Sequence, residues 1–257
     1  MTRAVVVAPH PDDEVLGCSS VLLGGDVAVV HVTEGVPPWT PAAEKDELAA
    51  TRQAECTRAW EVLSGDVERV GLGFGDLVAW RSVEDVAEAM VGAIAPFGDA
   101  AVYLPAYQRG HPDHDATFLA GALARDRLDP ARRSFHVYGL YGFDQAGRVR
   151  FGWLPPEVYG TVEERGARAL LEAKAQALRR FTSQVWPDSA LDLWLQRPVG
   201  EHLARWPDDW ARLPEALTAA GVGWYYDEEL GFSRHGASAA EVEAAFGPVL
   251  AAASRQA

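Results

Sequence analysis

The chain has 257 residues, 48% hydrophobic and 23% charged, enough to bury a large core within one α/β domain. Its 37 acidic residues outnumber 23 basic ones, and the net charge of −14 argues against nonspecific binding to nucleic acid or to an anionic membrane, which carry the same sign. No apolar run approaches the roughly 18 to 20 residues that span a bilayer, the N-terminus lacks a signal peptide's apolar centre, and the only cysteines, Cys18 and Cys56, fit reduced and packed thiols. A cytoplasmic protein is expected.

In chain order, short β-branched runs alternate with helical patterns. Strands are expected over 4–8, 27–33, 67–72 and 101–105, with helices near 14–23, 42–63, 83–94 and 116–124 between and after them. Thr40 followed by Pro41, and Ser82 followed by acids, mark two of the helix starts. This alternation predicts a Rossmann-like, mostly parallel sheet with helices on both faces, which binds ligands beyond the carboxyl ends of its strands. A fifth strand is expected over 134–140. Residues 161–164, Thr-Val-Glu-Glu, read as a capping box opening a long helix to about Phe181. Past Gln184 the pattern becomes irregular and rich in Trp and Pro, until a final helix near 238–252. The expected organisation is a single domain, 1–257, with a core over 1–185 and a substrate-side or lid region over about 186–257.

Two short motifs carry the chemistry. His10-Pro11-Asp12-Asp13-Glu14 breaks the first strand abruptly. As plain structure it is a proline turn whose acids complement a helix dipole. As chemistry it is a metal half-site, since imidazole and carboxylate suit Zn²⁺ and a free carboxylate beside them can take a proton. Gly110-His111-Pro112-Asp113-His114, after the fourth strand, nearly repeats it. Two such loops at strand ends bring three or four ligand-type side chains to one edge of the sheet, which favours the metal reading. Glu14 is read as an ordinary first-turn acid.

On these motifs the sequence resembles the LmbE-like, or PIG-L-type, zinc-dependent deacetylases, which remove acyl groups from N-acylated amino sugars. Weaker echoes are Thr33-Glu34-Gly35, Leu72-Gly73-Phe74 and Ser183-Gln184. The resemblance implies that His10, Asp13 and His114 bind Zn²⁺, or another divalent ion such as Fe²⁺, and that Asp12 is the general base. It further implies that His111, as a cation, stabilises the oxyanion and helps protonate the leaving amine, while Asp113 orients a histidine. Some members carry a Tyr where this chain has Arg109, which therefore stands either as a contact for an anionic substrate group or as a solvated loop residue.

Arg52 and Glu55 share a helical face with Leu48, Ala59 and Leu63. They read as a buried or half-buried ion pair, with Arg52 bordering the substrate as the alternative. Trp186, Trp194, Trp206, Trp210 and Trp224 read as core or lid packing, with stacking on a sugar as the alternative. His31, His136, His202 and His235 read as structural or surface residues. The glycines of 71–75 are misplaced for a dinucleotide fingerprint, and neither a Walker A loop nor a G-x-S-x-G elbow is present. The expected partner is a small N-acyl amino sugar or glycoside. Three other readings stay open: a tailoring deacylase for a longer-acyl or non-sugar amide, a non-catalytic metal-dependent glycan-binding protein, and a Rossmann-like domain without metal. A base beside the ligand set speaks for turnover over binding alone.

Overall fold

β1 (Ala4–Ala8) is buried at every residue, as an uninterrupted apolar run requires of a strand covered on both faces. The computed structural model describes residues 3–254 apart from 64, 145, 147, 188 and 223–237. β1 lies between β2 (Val27–Thr33) and β4 (Ala101–Pro105), parallel to both. β3 (Val67–Phe74) flanks β2 and β5 (Phe135–Tyr138) flanks β4, so these parallel strands stand in the order β3-β2-β1-β4-β5. The order reverses between β1 and β4. Chain leaving these two strands diverges, which opens a crevice at their carboxyl ends. Both sequence motifs begin there.

The crossovers are α1 (Asp13–Leu22), α2 (Lys45–Leu63), α3 (Val83–Ile94) and α4 (Pro112–Arg127). Alternation along β1 divides the core. Val5 and Val7 pack with Met90 and Phe118 of α3 and α4, whereas Val6 and Ala8 pack with Leu16 and Trp60 of α1 and α2. Gly17 allows α1 its close approach, because a Cβ there would lie 2.2 Å from the Tyr138 ring. The hydroxyl of that tyrosine donates to Val7 O, joining β5 to β1.

The second half is more regular than its sequence suggests. Residues 161–164 do not open a helix: β8 (Val162–Arg165) pairs antiparallel with β9 (Glu201–Arg205), and the helix begins later, as α6 (Arg168–Leu178). Backbone pairing with a strand about forty residues distant overrides the local capping signal. β9 also pairs antiparallel with β5, giving a seven-stranded sheet. A strand drawn from the segment after residue 185 is thus part of the central sheet. β6 (Tyr141–Phe143) and β7 (Val149–Phe151) form a separate hairpin. The remaining helices are α5 (Pro156–Tyr159), α7 (Ala190–Gln196), α8 (Leu213–Ala219) and α9 (Ala239–Ser254). Among the described residues, no helix is long and apolar enough to cross a membrane.

Candidate metal centre and active site

The chain turns from β1 into α1 within four residues, and the turn folds His10 and Asp13 together. The backbone N–H of His10 donates to Asp13 Oδ2 at 3.0 Å, and the Nδ1 of His10 lies 3.0 Å from the same oxygen. α4 begins four residues earlier than the sequence suggests. Pro112 occupies its first position, and Nδ1 of His111, the N-cap, accepts from Asp113 N. Asp113 and His114 therefore sit in a rigid first turn, where His114 Nε2 lies 3.2 Å from Asp13 Oδ2. Two imidazole nitrogens thus converge on one carboxylate oxygen in a nearly dry site. That donor set suits a divalent ion with a further coordination position left open.

The far side of His10 is also held. Its Nε2 lies 3.1 Å from Asp76 Oδ1 and 3.5 Å from Asp113 Oδ2, the carboxylate–imidazole arrangement that fixes which nitrogen is left for a metal. Asp113 accepts the N–H groups of Leu77 and Trp80, so it also ties α4 to the loop after β3. Asp76 escaped the sequence reading, since a single Asp after the third strand carries no motif. Burial works against ionising Asp13, yet His114 and His10 hold it well below the usual carboxylate range. Burial would likewise lower His10, but Asp76, Asp113 and Asp13 raise it well above an ordinary histidine. The His111 ring stands 4.7 Å from that of His10 and 4.6 Å from that of His114. Burial and these two neighbours push His111 well below an ordinary histidine, so the neutral ring is favoured over the expected cation. With Nδ1 accepting, its proton resides on Nε2.

Asp12 adopts φ 122° and ψ −28°, a conformation rare for a non-glycine residue. Arg52 secures it, donating to Asp12 Oδ2 at 2.9 Å, to Pro11 O at 2.7 Å and to Gly35 O. Gly35, at φ 65°, has no room for a Cβ, which would meet the guanidinium at 2.2 Å. The expected Arg52–Glu55 pair does not form. Glu55 instead accepts from the Thr182 hydroxyl and from the amide and hydroxyl of Ser183. Two of the weak sequence echoes thereby acquire a physical basis, Gly35 under Arg52 and Ser183 on Glu55.

Arg109 takes neither of its expected roles. Buried and at φ 58°, it directs its guanidinium away from the cleft, donating to Val222 O, Pro214 O and the Thr218 hydroxyl. Its backbone N–H and that of Gln108 donate to Asp115. Arg109→Ala should therefore cost stability and spare the site. We expect a loss of about 2 to 4 kcal/mol in chemical denaturation, from unpairing buried carbonyls. KM should remain within about twofold of the parent value, because an ordering change confined to α8 leaves the cleft uniformly bound.

A cavity of about 430 Å³ opens over His10, Asp12, Asp13 and His114. Its wall is largely apolar, with Leu16, Leu77, Tyr141, Phe151, Leu191 and Leu193. At its edge stand Trp39, 55% exposed, and Trp186, 54% exposed. Trp194 and Trp206 are core residues, the latter stacked on Phe118. His136 stacks on Tyr103, and His202 Nδ1 accepts from Leu154 N. Trp224 and His235 lie outside the described residues.

Residues 5–124, which contain both motifs and all the side chains around His10, match the family model PIG-L, described as GlcNAc-PI de-N-acetylase. The chain belongs to the PIG-L family. No curated protein matches it. Among solved structures it is similar to the zinc-inhibited form of a teicoplanin deacetylase, at TM-score 0.57 and 22% identity over 80% of this chain and 100% of that one. The N,N'-diacetylchitobiose deacetylase from Pyrococcus horikoshii is similar at TM-score 0.55 and 20% identity, over 80% and 84% of the two chains. A 4-carboxy-2-hydroxymuconate hydratase from Pseudomonas putida is similar at TM-score 0.52 and 14% identity, over 80% and 97%. These likenesses establish the fold. Because a hydratase shares it, the reaction of this PIG-L protein has to be argued from side chains.

Proposed function

We propose that this PIG-L protein is a metal-dependent N-deacylase that removes an acetyl or other acyl group from an N-acylated amino sugar or glycoside. The observation that carries the reading is the convergence of His10 Nδ1 and His114 Nε2 on Asp13 Oδ2, directly beside the Asp12 carboxylate. His10, Asp13 and His114 would hold the ion, Zn²⁺ or another divalent metal. A bound divalent ion supplies Lewis-acid polarisation of a carbonyl and acidifies water. His10, His111 and His114 offer an alternative ligand set, their ligand atoms lying within 4.8 Å of one another. Asp13 is preferred to His111, because its charge faces both other ligands and offsets that of a cation.

Asp12 is the general base. Burial, partly offset by Arg52 and reinforced by Asp13, holds its carboxyl well above the usual carboxylate range, which suits a group that must accept a proton near neutral pH. His111 donates from Nε2 to the charge that develops on the substrate carbonyl oxygen. Asp113 and Asp76 keep the His10 ring oriented. The test is amine release by metal-loaded protein from a panel of N-acylated amino sugars, with loss on chelation and recovery on readdition. Tight glycan binding without release would favour the binding-protein reading instead.

The apolar wall supports a second reading of the substrate, a longer acyl chain or an apolar aglycone. If the acyl chain lies along that wall, kcat/KM should rise by up to about fourfold for each added CH₂, from ~0.8 kcal/mol of burial. Replacing Trp39 and Trp186 together by Ala should reduce that gain and leave acetyl release near its parent rate. A flat profile across acyl lengths assigns the wall to the other end of the substrate.

A further inference from the structure

Glu14 is more than a first-turn acid. It is completely buried, and three N–H groups from three other parts of the chain point at its carboxylate. Trp60 Nε1 donates to Oε1 at 2.9 Å, while Asp12 N donates to Oε2 at 3.1 Å and His31 Nε2 lies 3.2 Å from that oxygen. His31 Nδ1 accepts from Arg69 Nε at 3.3 Å, which places the imidazole proton on Nε2, facing Glu14. A hydrogen-bonded chain therefore runs from Arg69 on β3, through His31 on β2 and Glu14 on α1, to the amide of Asp12.

That amide belongs to the residue whose backbone is least comfortable. Held at φ 122°, Asp12 carries a strain of about 1 to 3 kcal/mol, which persists only where the surroundings over-determine it. Arg52 fixes its side chain, and Val15 and Leu16 N–H groups fix its carbonyl. Glu14 fixes its N–H. We propose that Glu14 and His31 are positioning residues that lock the strained Asp12 backbone and so aim its carboxylate into the cleft. The catalytic consequence rests on the deacylase reading above; the backbone lock does not.

Glu14, His31 and Cys56 also bring potential ligand atoms within 4.8 Å of one another, which invites a second metal site. The hydrogen bonds argue otherwise, because both Glu14 oxygens already serve N–H donors and the His31 nitrogen facing them carries a proton. Gln is a poor replacement for Glu14 for the same reason. Whichever way it is turned, its NH₂ group meets another donor.

The test uses full-length zinc-loaded protein, with kcat and KM for an N-acetylated amino sugar, metal content, and hydrogen exchange at the Asp12 amide. Glu14→Gln should lower kcat by roughly 10²-fold, the usual cost of a displaced catalytic group, with KM and bound zinc unchanged and the Asp12 amide exchanging faster. His31→Leu should act in the same direction, and His31→Gln, which can still donate to Glu14, should recover most of the loss. Cys56→Ala should leave kcat, zinc content and exchange unaltered. Undiminished kcat with a protected Asp12 amide in Glu14→Gln would overturn the proposal, as would a fall from two bound zinc ions to one in Cys56→Ala. Should Glu14→Gln not fold, the two His31 variants decide through the same readouts. A parent protein inert toward every substrate would instead refute the deacylase reading, while exchange at Asp12 still tests the lock.

Discussion

Asp12→Asn should reduce kcat by roughly 10³- to 10⁴-fold, the upper part of what a general base contributes, while KM and metal content change little. The same substitution should make the metal-free protein harder to unfold at neutral pH. The sign follows from the carboxyl's surroundings. Burial, opposed by Arg52 and aided by Asp13, raises it well above 3.8 in the folded chain. Between 3.8 and that raised value the folded state holds more proton than the unfolded state, so stability is lost as pH rises through the raised value. Asn lacks the ionisation, retains an oxygen for the Arg52 guanidinium, and removes that loss. Turnover near the parent rate in the variant would reject Asp12 as base. A lower denaturation midpoint at neutral pH would show that the ion pair with Arg52 outweighs the cost of burying the charge. Activity and stability should therefore move in opposite directions at this residue, as expected where a site holds a strained and desolvated group for chemistry.

The site was legible where its chemistry is contiguous in sequence. His10, Asp12 and Asp13 adjoin one another at the end of a strand whose apolar run is unmistakable, and the second motif places His111, Asp113 and His114 after another such strand. What the sequence hid is long-range. Glu14 satisfied a local account as a helix-start acid, yet its partners His31 and Trp60 lie 17 and 46 residues away. Arg52 and Glu55 stand one helical turn apart, a spacing that fixes their common face but not their partners, and each reaches into a different loop. Arg109 looked like a site residue from its position before His111, and only the placement of α8 turns it away. β8 was misread because a Thr-x-x-Glu pattern scores a local cap, whereas the pairing that decides its conformation comes from β9.

The fold's second half contains a cost the sequence gave no reason to expect. Lys174 on α6 and Glu201 on β9 are both completely buried, with Nζ 3.5 Å from Oε1, and the ammonium lies 4.8 Å from the Trp194 ring centroid. Glu201 Oε2 accepts from Ser20 N, so the pair joins α1, α6 and β9 beneath the α7 wall that supplies Leu191 and Leu193 to the cavity. Burial lowers Lys174, with Glu201 opposing the shift. Lys174→Ala should cost roughly 3 to 5 kcal/mol in urea or guanidinium unfolding, because it leaves the Glu201 charge buried without its partner. Lys174→Met combined with Glu201→Gln should recover most of that loss, since the double variant buries neither charge and Gln still accepts from Ser20. If the double variant is as unstable as Lys174→Ala, the pair is a net source of stability, not a balanced cost. If instead it matches the parent in stability but loses kcat/KM for long-acyl substrates alone, the pair serves to set the α7 wall, and the apolar side of the cavity is where the acyl chain lies.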